Sequence, residues 1–525
     1  MRCSEKQETV WREYEEKKKE VGQLLLQSND EENPMDSLMF VDATQRVGVD
    51  HHFEEEIDMI LRRQYNCSAK SVCFHGLHDV SLFFRLLRQQ GYHVSADVFN
   101  NFKGKDGKFK DTLKQDIKGL MALYEAAQLS FKGEDIIDEA DDFSRLHLSA
   151  CLLGNMPEKS CSQEAIRKTL RHPQHKSIAR LSSAKSILHG DLLKGSKVWE
   201  KSLRELVSMD SLIAKSLHQE ELLQVSKWWK DLGLSEKLPN ARNQAVKWYT
   251  WSMASIDDPR LSFQRIELTK PIAFIYLIDD IFDLYGTINE LTLFTEAINR
   301  WDDTAIEMLP AYMRMSYKSL VDTTNEIAHN IHEKHGHNPI NALKATWASL
   351  CDAFLVEARW FASGELPTAQ EYLENGKVST GAHVVLVHLF FLLGLGGFTN
   401  GGDDEINLNH TSKLMSSIAT ILRLWDDLGS SKDEQQDGQD GSYITCYMKD
   451  EPNVSEKQAR QHVVDMILNE WRNLNQERFR LNHFSAASFK RCSLNIARMV
   501  PLMYTYDEKQ RLPLLEEYMR NTLFD

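Results

Sequence analysis

Two short acidic segments carry the chemistry this chain could perform. The first is PIAFIYLIDDIFDLYG, Pro271 to Gly286. Apolar residues surround nearly its whole circumference, which predicts a buried helix with Pro271 in the first turn and Gly286 at the end. Asp279, Asp280 and Asp283 interrupt that surface. Asp279 and Asp283 are four residues apart, so they share a face and are separated by about 6 Å along the axis. Buried carboxylates are costly unless something cationic compensates them. No Lys or Arg occurs between Lys270 and Arg300. A hard divalent cation is therefore the natural partner, and Mg²⁺ held by carboxylates commonly also takes phosphate oxygens of a substrate. The competing reading is an acidic helix end that points into water.

The second segment, ILRLWDDLGSSKDE, runs from Ile421 to Glu434. Leu414, Ile418, Ile421 and Leu422 lead into Asp426, Ser430 and Glu434, which fall at i, i+4 and i+8 on one helical stripe. Carboxylate, hydroxyl and carboxylate form an oxygen-rich chelate for a second Mg²⁺ position. Asp427 projects about 100° away and reads as a support or surface residue. Arg423 lies near the same face. Its guanidinium could grip a diphosphate oxygen, or it could pair with Asp426 or Asp427.

The elements that must position these groups are helices. Apolar residues recur at three- and four-residue spacing, as in Leu82, Leu86 and Leu87 before Gly91, and no strand series or βαβ pattern interrupts them. The expected class is all-α. The 525 residues suggest two domains, placed at 1–208 and 209–525. Two charged, glycine-bearing stretches, Gly401 to Asn409 and Gln435 to Ser442, read as loops. The second follows a candidate motif and reads as a mobile cap.

The net charge of −15 argues against nucleic acid as the partner. It leaves room for a phosphate-bearing substrate, because bound cations supply positive charge locally. The eight cysteines lack zinc-site or redox-motif spacing and read as reduced thiols. The first residues, MRCSEKQETVWREYEEKKKEV, carry both charges and no apolar core, unlike a signal or transit peptide. The longest apolar run, Val384 to Leu395, contains His388 and is too short for a membrane span. These features predict a cytosolic protein, or a plastid one should a segment precede Met1.

The two acidic segments resemble the DDxxD and NSE/DTE metal motifs of plant terpene synthases, with Asp426 in place of the usual leading Asn. They come in that family's order, 143 residues apart (426 minus 283). Trp228-Trp229-Lys230 with Leu238-Pro239, Glu371 to Asn375, and Cys446 to Lys449 resemble further landmarks. The resemblance covers essentially the whole chain. It implies two helical domains, an N-terminal relic α-barrel and a C-terminal class I terpenoid synthase bundle. It also implies three Mg²⁺ ions, replaceable by Mn²⁺, at Asp279, Asp280, Asp283, Asp426, Ser430 and Glu434. The substrate would be a prenyl diphosphate, held by Arg242, Asp279, Asp283, Arg423, Asp426 and Tyr504, and the enzyme a monomer. Trp251 stands at the family's aromatic pocket position, with Phe274 and Tyr504 behind it. Aromatic faces stabilise cations without offering a nucleophile. Arg242, Arg423 and Trp251 are the expected catalytic side chains.

Two departures shape the expected product. The family's Arg-x-Arg motif reads Arg242-Asn243-Gln244 here, and no tandem-arginine motif precedes Val41. Both features, with the runs ARNQAVKWYTWSM and STGAHVVLVHLFFLLG, resemble subfamily g, whose members mostly make acyclic alcohols such as linalool and nerolidol. Quenching by water would give linalool from geranyl diphosphate and nerolidol from farnesyl diphosphate, with nerolidol expected in the cytosol. The alternatives are a cyclising mono- or sesquiterpene synthase, a chain-elongating prenyltransferase and a non-enzymatic helical scaffold. Other acidic and histidine clusters read as bystanders. Asp138 to Asp142 reads as a surface helix start, Asp302-Asp303 and Asp403-Asp404 as solvated, His329 to His337 as a solvated helix end, and His51-His52 as a turn or packing site.

Overall fold

The computed structural model describes residues 2–28, 34–68, 74–153, 161–181, 198–302, 306–396, 408–430, 442–481 and 487–524. Asp303, the Asp403-Asp404 pair, Glu434 and most of the two glycine-bearing loops lie outside that set. Among the described residues the chain is helical, and its strand-like pairing is confined to one antiparallel bridge between Lys103 and Phe109. No helix among them is long and apolar enough to cross a membrane.

The chain divides into two compact units. One comprises residues 1–216 together with 516–525, and the other residues 217–515. A single helix, Val198–Asp231, runs through the boundary. The first unit has a core that includes Phe40, Phe53, Phe84 and Phe99. A buried carboxylate ties its distant segments. Asp210 accepts from Tyr14 Oη at 2.7 Å, meets His52 Nε2 at 2.9 Å and pairs with Arg180. Asp210 and its two histidine neighbours are close enough to hold a metal ion, but the Arg180 guanidinium already supplies the counter-charge. His51-His52 is thus a short 3₁₀ packing turn. Asp138 falls in the first turn of the Asp135–Leu153 helix, where an acid suits the helix dipole.

In the second unit the apolar run becomes the helix Ala382–Leu392, with nine of its eleven residues buried. Being apolar on every side, it can be covered on every side. It packs against the Ser262–Asp280 helix, which carries the first acidic motif, and against the Ser412–Ser430 helix, which carries the second. Two further helices, Ala245–Ser255 and Ala487–Tyr504, close the circuit between those two. His388 sits inside the apolar helix with Nδ1 2.8 Å from the Val384 carbonyl, and burial pushes it down to about 4, so it stays neutral. His335 and His337 are half-buried, with His337 5.6 Å from Phe391. That end of the histidine cluster packs against the apolar helix, which corrects the solvated reading. Phe391 shields the His337 ring from water, and His335 lies against Gly394 just beyond that helix.

The first acidic helix also departs from expectation. It begins at Ser262, and Pro271 is an interior residue. The preceding charged residues are helical because tertiary partners satisfy them. The fully buried Arg265 forms a two-pronged pair with Glu221, at 2.8 and 2.7 Å. Lys270 reaches Glu267 at 2.7 Å. Glu221 also accepts from Tyr249 Oη at 2.7 Å. Burial alone would raise the Glu221 carboxyl, but the bonds from Arg265 and His218 win and hold it down at about 2.

Breaking a buried pair leaves one charge uncompensated, which costs about 3–5 kcal/mol. Glu221→Gln should therefore lower folding stability by about that amount at neutral pH, read as a shift of the urea midpoint. The carboxylate's depressed folded value gives the sign of the acid response. Its contribution is complete above the ordinary carboxyl value of 4.5 and is lost as pH falls towards about 2. The gap between wild type and variant should narrow across that window. A constant gap would contradict the assignment.

Candidate active site

The first acidic helix ends in a change of winding. Ile281–Tyr285 form a π-helical turn, closed by the Gly286 amide donating to the Ile281 carbonyl at 2.9 Å. The i→i+5 step widens the turn. Asp279 is half-buried before it, Asp280 is buried, and Asp283 is exposed within it. The simple i,i+4 face expected of a continuous α-helix is therefore modified at the third aspartate. A Cβ at Gly286 would lie 2.4 Å from the Leu291 side chain, so glycine lets the chain turn back here without displacing Leu291.

Arg242 holds the first two aspartates. Its backbone N–H donates to Asp280 Oδ2 at 2.6 Å and its Nε to Oδ1 at 2.6 Å, while the guanidinium also pairs with Asp279. Both Asp280 oxygens are thereby occupied by Arg242. Burial raises the Asp280 carboxyl, and Arg242 opposes that rise. The cationic partner that the aspartate segment lacks locally arrives from a residue 37 positions earlier (279 minus 242).

Across the site, the second acidic helix Ser412–Ser430 presents Asp426 half-buried and Asp427 buried. Asp427 accepts from Tyr372 Oη and from the Tyr443 amide, each at 2.9 Å. It is pushed up to about 7 by burial, against the pull of Arg423. Asp427 is thus a support behind the site rather than a surface group. Arg423 donates to Ser379 Oγ at 2.7 Å and lies 3.7 Å from Glu357, 3.8 Å from Asp426 and 3.9 Å from Asp427. Gly376 makes room for it, since a Cβ there would stand 2.9 Å from Arg423 Nε. Of the two roles left open for Arg423, the geometry shows the pairing with acids, Asp426 and Asp427 among them.

The site's electrostatics join the two helices. Burial raises the Asp426 carboxyl, Arg423 lowers it, and Asp279 on the other helix raises it further. Two carboxylates from separate helices therefore repel across one space, a donor set suited to hard divalent cations. Ser430 is the last residue of its helix, and Glu434 lies outside the described residues. Tyr504 is close by. Burial and then Asp426 raise its phenol well above the usual value. Its carbonyl would sit 2.3 Å from a Cβ at Gly429, so glycine permits this contact too.

Trp251 is buried, and its Nε1 donates to Tyr276 Oη at 3.3 Å. Phe274 is buried, with its ring centroid 6.0 Å from Trp228 and 6.2 Å from Trp229. Two site residues escaped the sequence reading. Tyr276 stacks under Arg242, whose guanidinium carbon is 4.9 Å from the ring centroid. Its position three residues before Asp279 on the same helix was the available signal. Lys247 lies over the same ring. Its signal was a lone cation, five residues after Arg242, in an otherwise aromatic and small-residue helix.

Comparison with known proteins agrees with this architecture. The terpene synthase N-terminal domain matches residues 1–172, and the metal binding domain of the terpene synthase family matches residues 230–473. A tricyclene synthase of Antirrhinum majus is 56% identical over 505 residues, covering 95% of this chain and 86% of that protein. An (E)-nerolidol synthase of Cannabis sativa is 46% identical, with coverages of 94% and 89%. The crystal structure of isoprene synthase from grey poplar leaves, in complex with three Mg²⁺ ions and dimethylallyl-S-thiolodiphosphate, has a TM-score of 0.86. Its identity is 31%, with 98% of each chain covered. The tricyclene synthase and two sister enzymes of the same plant are named chloroplastic. That overturns the cytosolic expectation. Residues 2–27 form a helix. With family profiles matching both halves of the chain and a relative of this identity spanning nearly all of it, the protein belongs to the terpene synthase family.

Proposed function

We propose that this terpene synthase ionises an allylic prenyl diphosphate with Mg²⁺ and releases an open-chain tertiary alcohol, as a plastid enzyme acting as a monomer. The observation that carries the ionisation step is the convergence of Asp279 and Asp426 from separate helices, with Arg242 and Arg423 beside them. Asp279, Asp283, Asp426, Ser430 and Glu434 would hold the metal. Asp280 would instead hold Arg242 in place, since both of its oxygens are engaged there. Bound divalent cations neutralise the charge that develops on a departing diphosphate.

The chain's own residues do the rest. Arg242, fixed by two carboxylates, offers a preorganised donor to the diphosphate at no reorganisation cost. Arg423, held by Ser379 and Tyr372, does the same from the opposite helix. Trp251, anchored to Tyr276, presents an aromatic face on which an allylic cation is stabilised. Their Nε1–Oη contact fixes the two rings relative to each other.

Gln244 and the likeness to the nerolidol synthase support early quenching by water, giving linalool from geranyl diphosphate or nerolidol from farnesyl diphosphate. With the cytosolic argument gone, geranyl diphosphate is the first substrate to test. The 56% identity to a tricyclene synthase favours a second reading, cyclisation of the same cation. Gas-chromatographic profiles of purified protein with each diphosphate and Mg²⁺ separate the two. Mainly linalool or nerolidol is expected, and mainly cyclic hydrocarbon would reject the acyclic reading.

Asp279→Ala should abolish turnover, with a loss of at least about a thousandfold, as expected when charge stabilisation at the reacting group is removed. The helical circular-dichroism spectrum should persist. Chelation by EDTA should stop the wild-type reaction, and added Mg²⁺ or Mn²⁺ should restore it. Full activity of the variant, or insensitivity to EDTA, would refute the metal assignment.

A further inference from the structure

The family's second arginine is replaced by Gln244, yet the structure brings a second cation over the ring that Arg242 also approaches. Lys247 stands in the first turn of the Ala245–Ser255 helix, half-buried beside Trp248. Its ammonium lies 5.8 Å from the Tyr276 ring centroid, while Arg242 lies 4.9 Å from the centroid of that same ring. Lys247 and Trp251 are four residues apart and therefore share a helical face. Trp251 in turn donates to the Tyr276 hydroxyl. One aromatic ring thus carries two cations and touches the expected aromatic pocket.

Among the described residues, Lys247 makes neither a hydrogen bond nor an ion pair within contact distance. Arg242 differs, being taken by Asp279 and Asp280. Burial, then repulsion from Arg242, lowers the Lys247 ammonium, and Asp426 only partly offsets this. A half-buried cation held next to a second one is unfavourable on its own account. A lysine serving only to pack could extend its head to water and relieve that cost. The arrangement becomes favourable when a polyanion enters between Lys247, Arg242 and Asp426's metal-binding side.

We propose that Lys247 is a diphosphate-binding residue that takes over the role of the arginine missing at position 244. This rests on the diphosphate chemistry proposed above. An ammonium is a compact charge with three rotatable donors, whereas a guanidinium is a planar fork. The grip on the diphosphate therefore shifts from position 244 to a residue one turn further along, on the Trp251 side of the site.

The test uses inorganic diphosphate with Mg²⁺, titrated calorimetrically into the full-length protein. Lys247→Gln should weaken binding by about tenfold or more, the scale of one lost charge-assisted contact. The inhibition constant of inorganic diphosphate in turnover assays should rise in parallel, with an unchanged thermal midpoint. Lys247→Arg should bind within about threefold of wild type, because charge is retained. Adding Gln244→Arg to Lys247→Gln should recover the lost affinity. Undiminished diphosphate binding by a folded Lys247→Gln overturns the proposal, as does failure of both Lys247→Arg and the double variant to bind. Should Lys247→Gln not fold, the Gln244→Arg/Lys247→Gln and Lys247→Arg comparisons decide by the same criterion. A wild type that binds diphosphate but turns over no prenyl diphosphate would instead refute the proposed function and leave the binding role standing.

Discussion

The site depends on holding like charges together in a partly dry space. Asp279, Asp280, Asp426 and Asp427 come from the ends of two helices, and burial raises three of these carboxyls, Asp280, Asp426 and Asp427. Such an arrangement is stable only if each negative charge meets a donor or a cation. The structure divides the task. Asp280 is satisfied by Arg242, and Asp427 by Tyr372 and the Tyr443 amide. Asp279 and Asp426 are left nearer the shared space, where their repulsion favours added positive charge.

That division explains why buried polar contacts accumulate behind the acidic residues. Tyr372, Ser379 and Gly376 belong to one helix, Ala369–Ser379, and all three bear on Arg423. The helix breaks at Gly381, whose φ of 68° is left-handed. A Cβ at Gly381 would press on Ile275, four residues before Asp279, at 2.8 Å. The break thus lets the supporting helix approach the first acidic helix. Glycine at 376, 381 and 429 serves the same end at three places, where a Cβ would press on the Arg423 side chain, the Ile275 side chain and the Tyr504 carbonyl in turn.

The apolar helix Ala382–Leu392 supplies the complementary constraint. Its apolar circumference lets both acidic helices pack on it. The hydrophobic contribution has no direction of its own, so the directional contacts of Arg242 and Arg423 determine how the acidic ends face each other.

Much of this was written in residue order. The helical period, the aspartates at 279 and 283, the Asp426 stripe and the Gln244 departure are local patterns, and local patterns survive in a linear reading because helix geometry repeats every 3.6 residues. What the linear reading mistook or missed depends on residues far apart in the chain. Pro271 became interior because Glu221 neutralises Arg265 from 44 residues away. Asp280 became a clamp because Arg242 reaches it from 38 residues away. Lys247 and Tyr276 became site residues only when their two helices met. Sequence alone determined which helices bear acids and that something cationic must answer them. Tertiary structure decided which acid each cation answers, because that choice is made by distance through space in a medium of low dielectric constant.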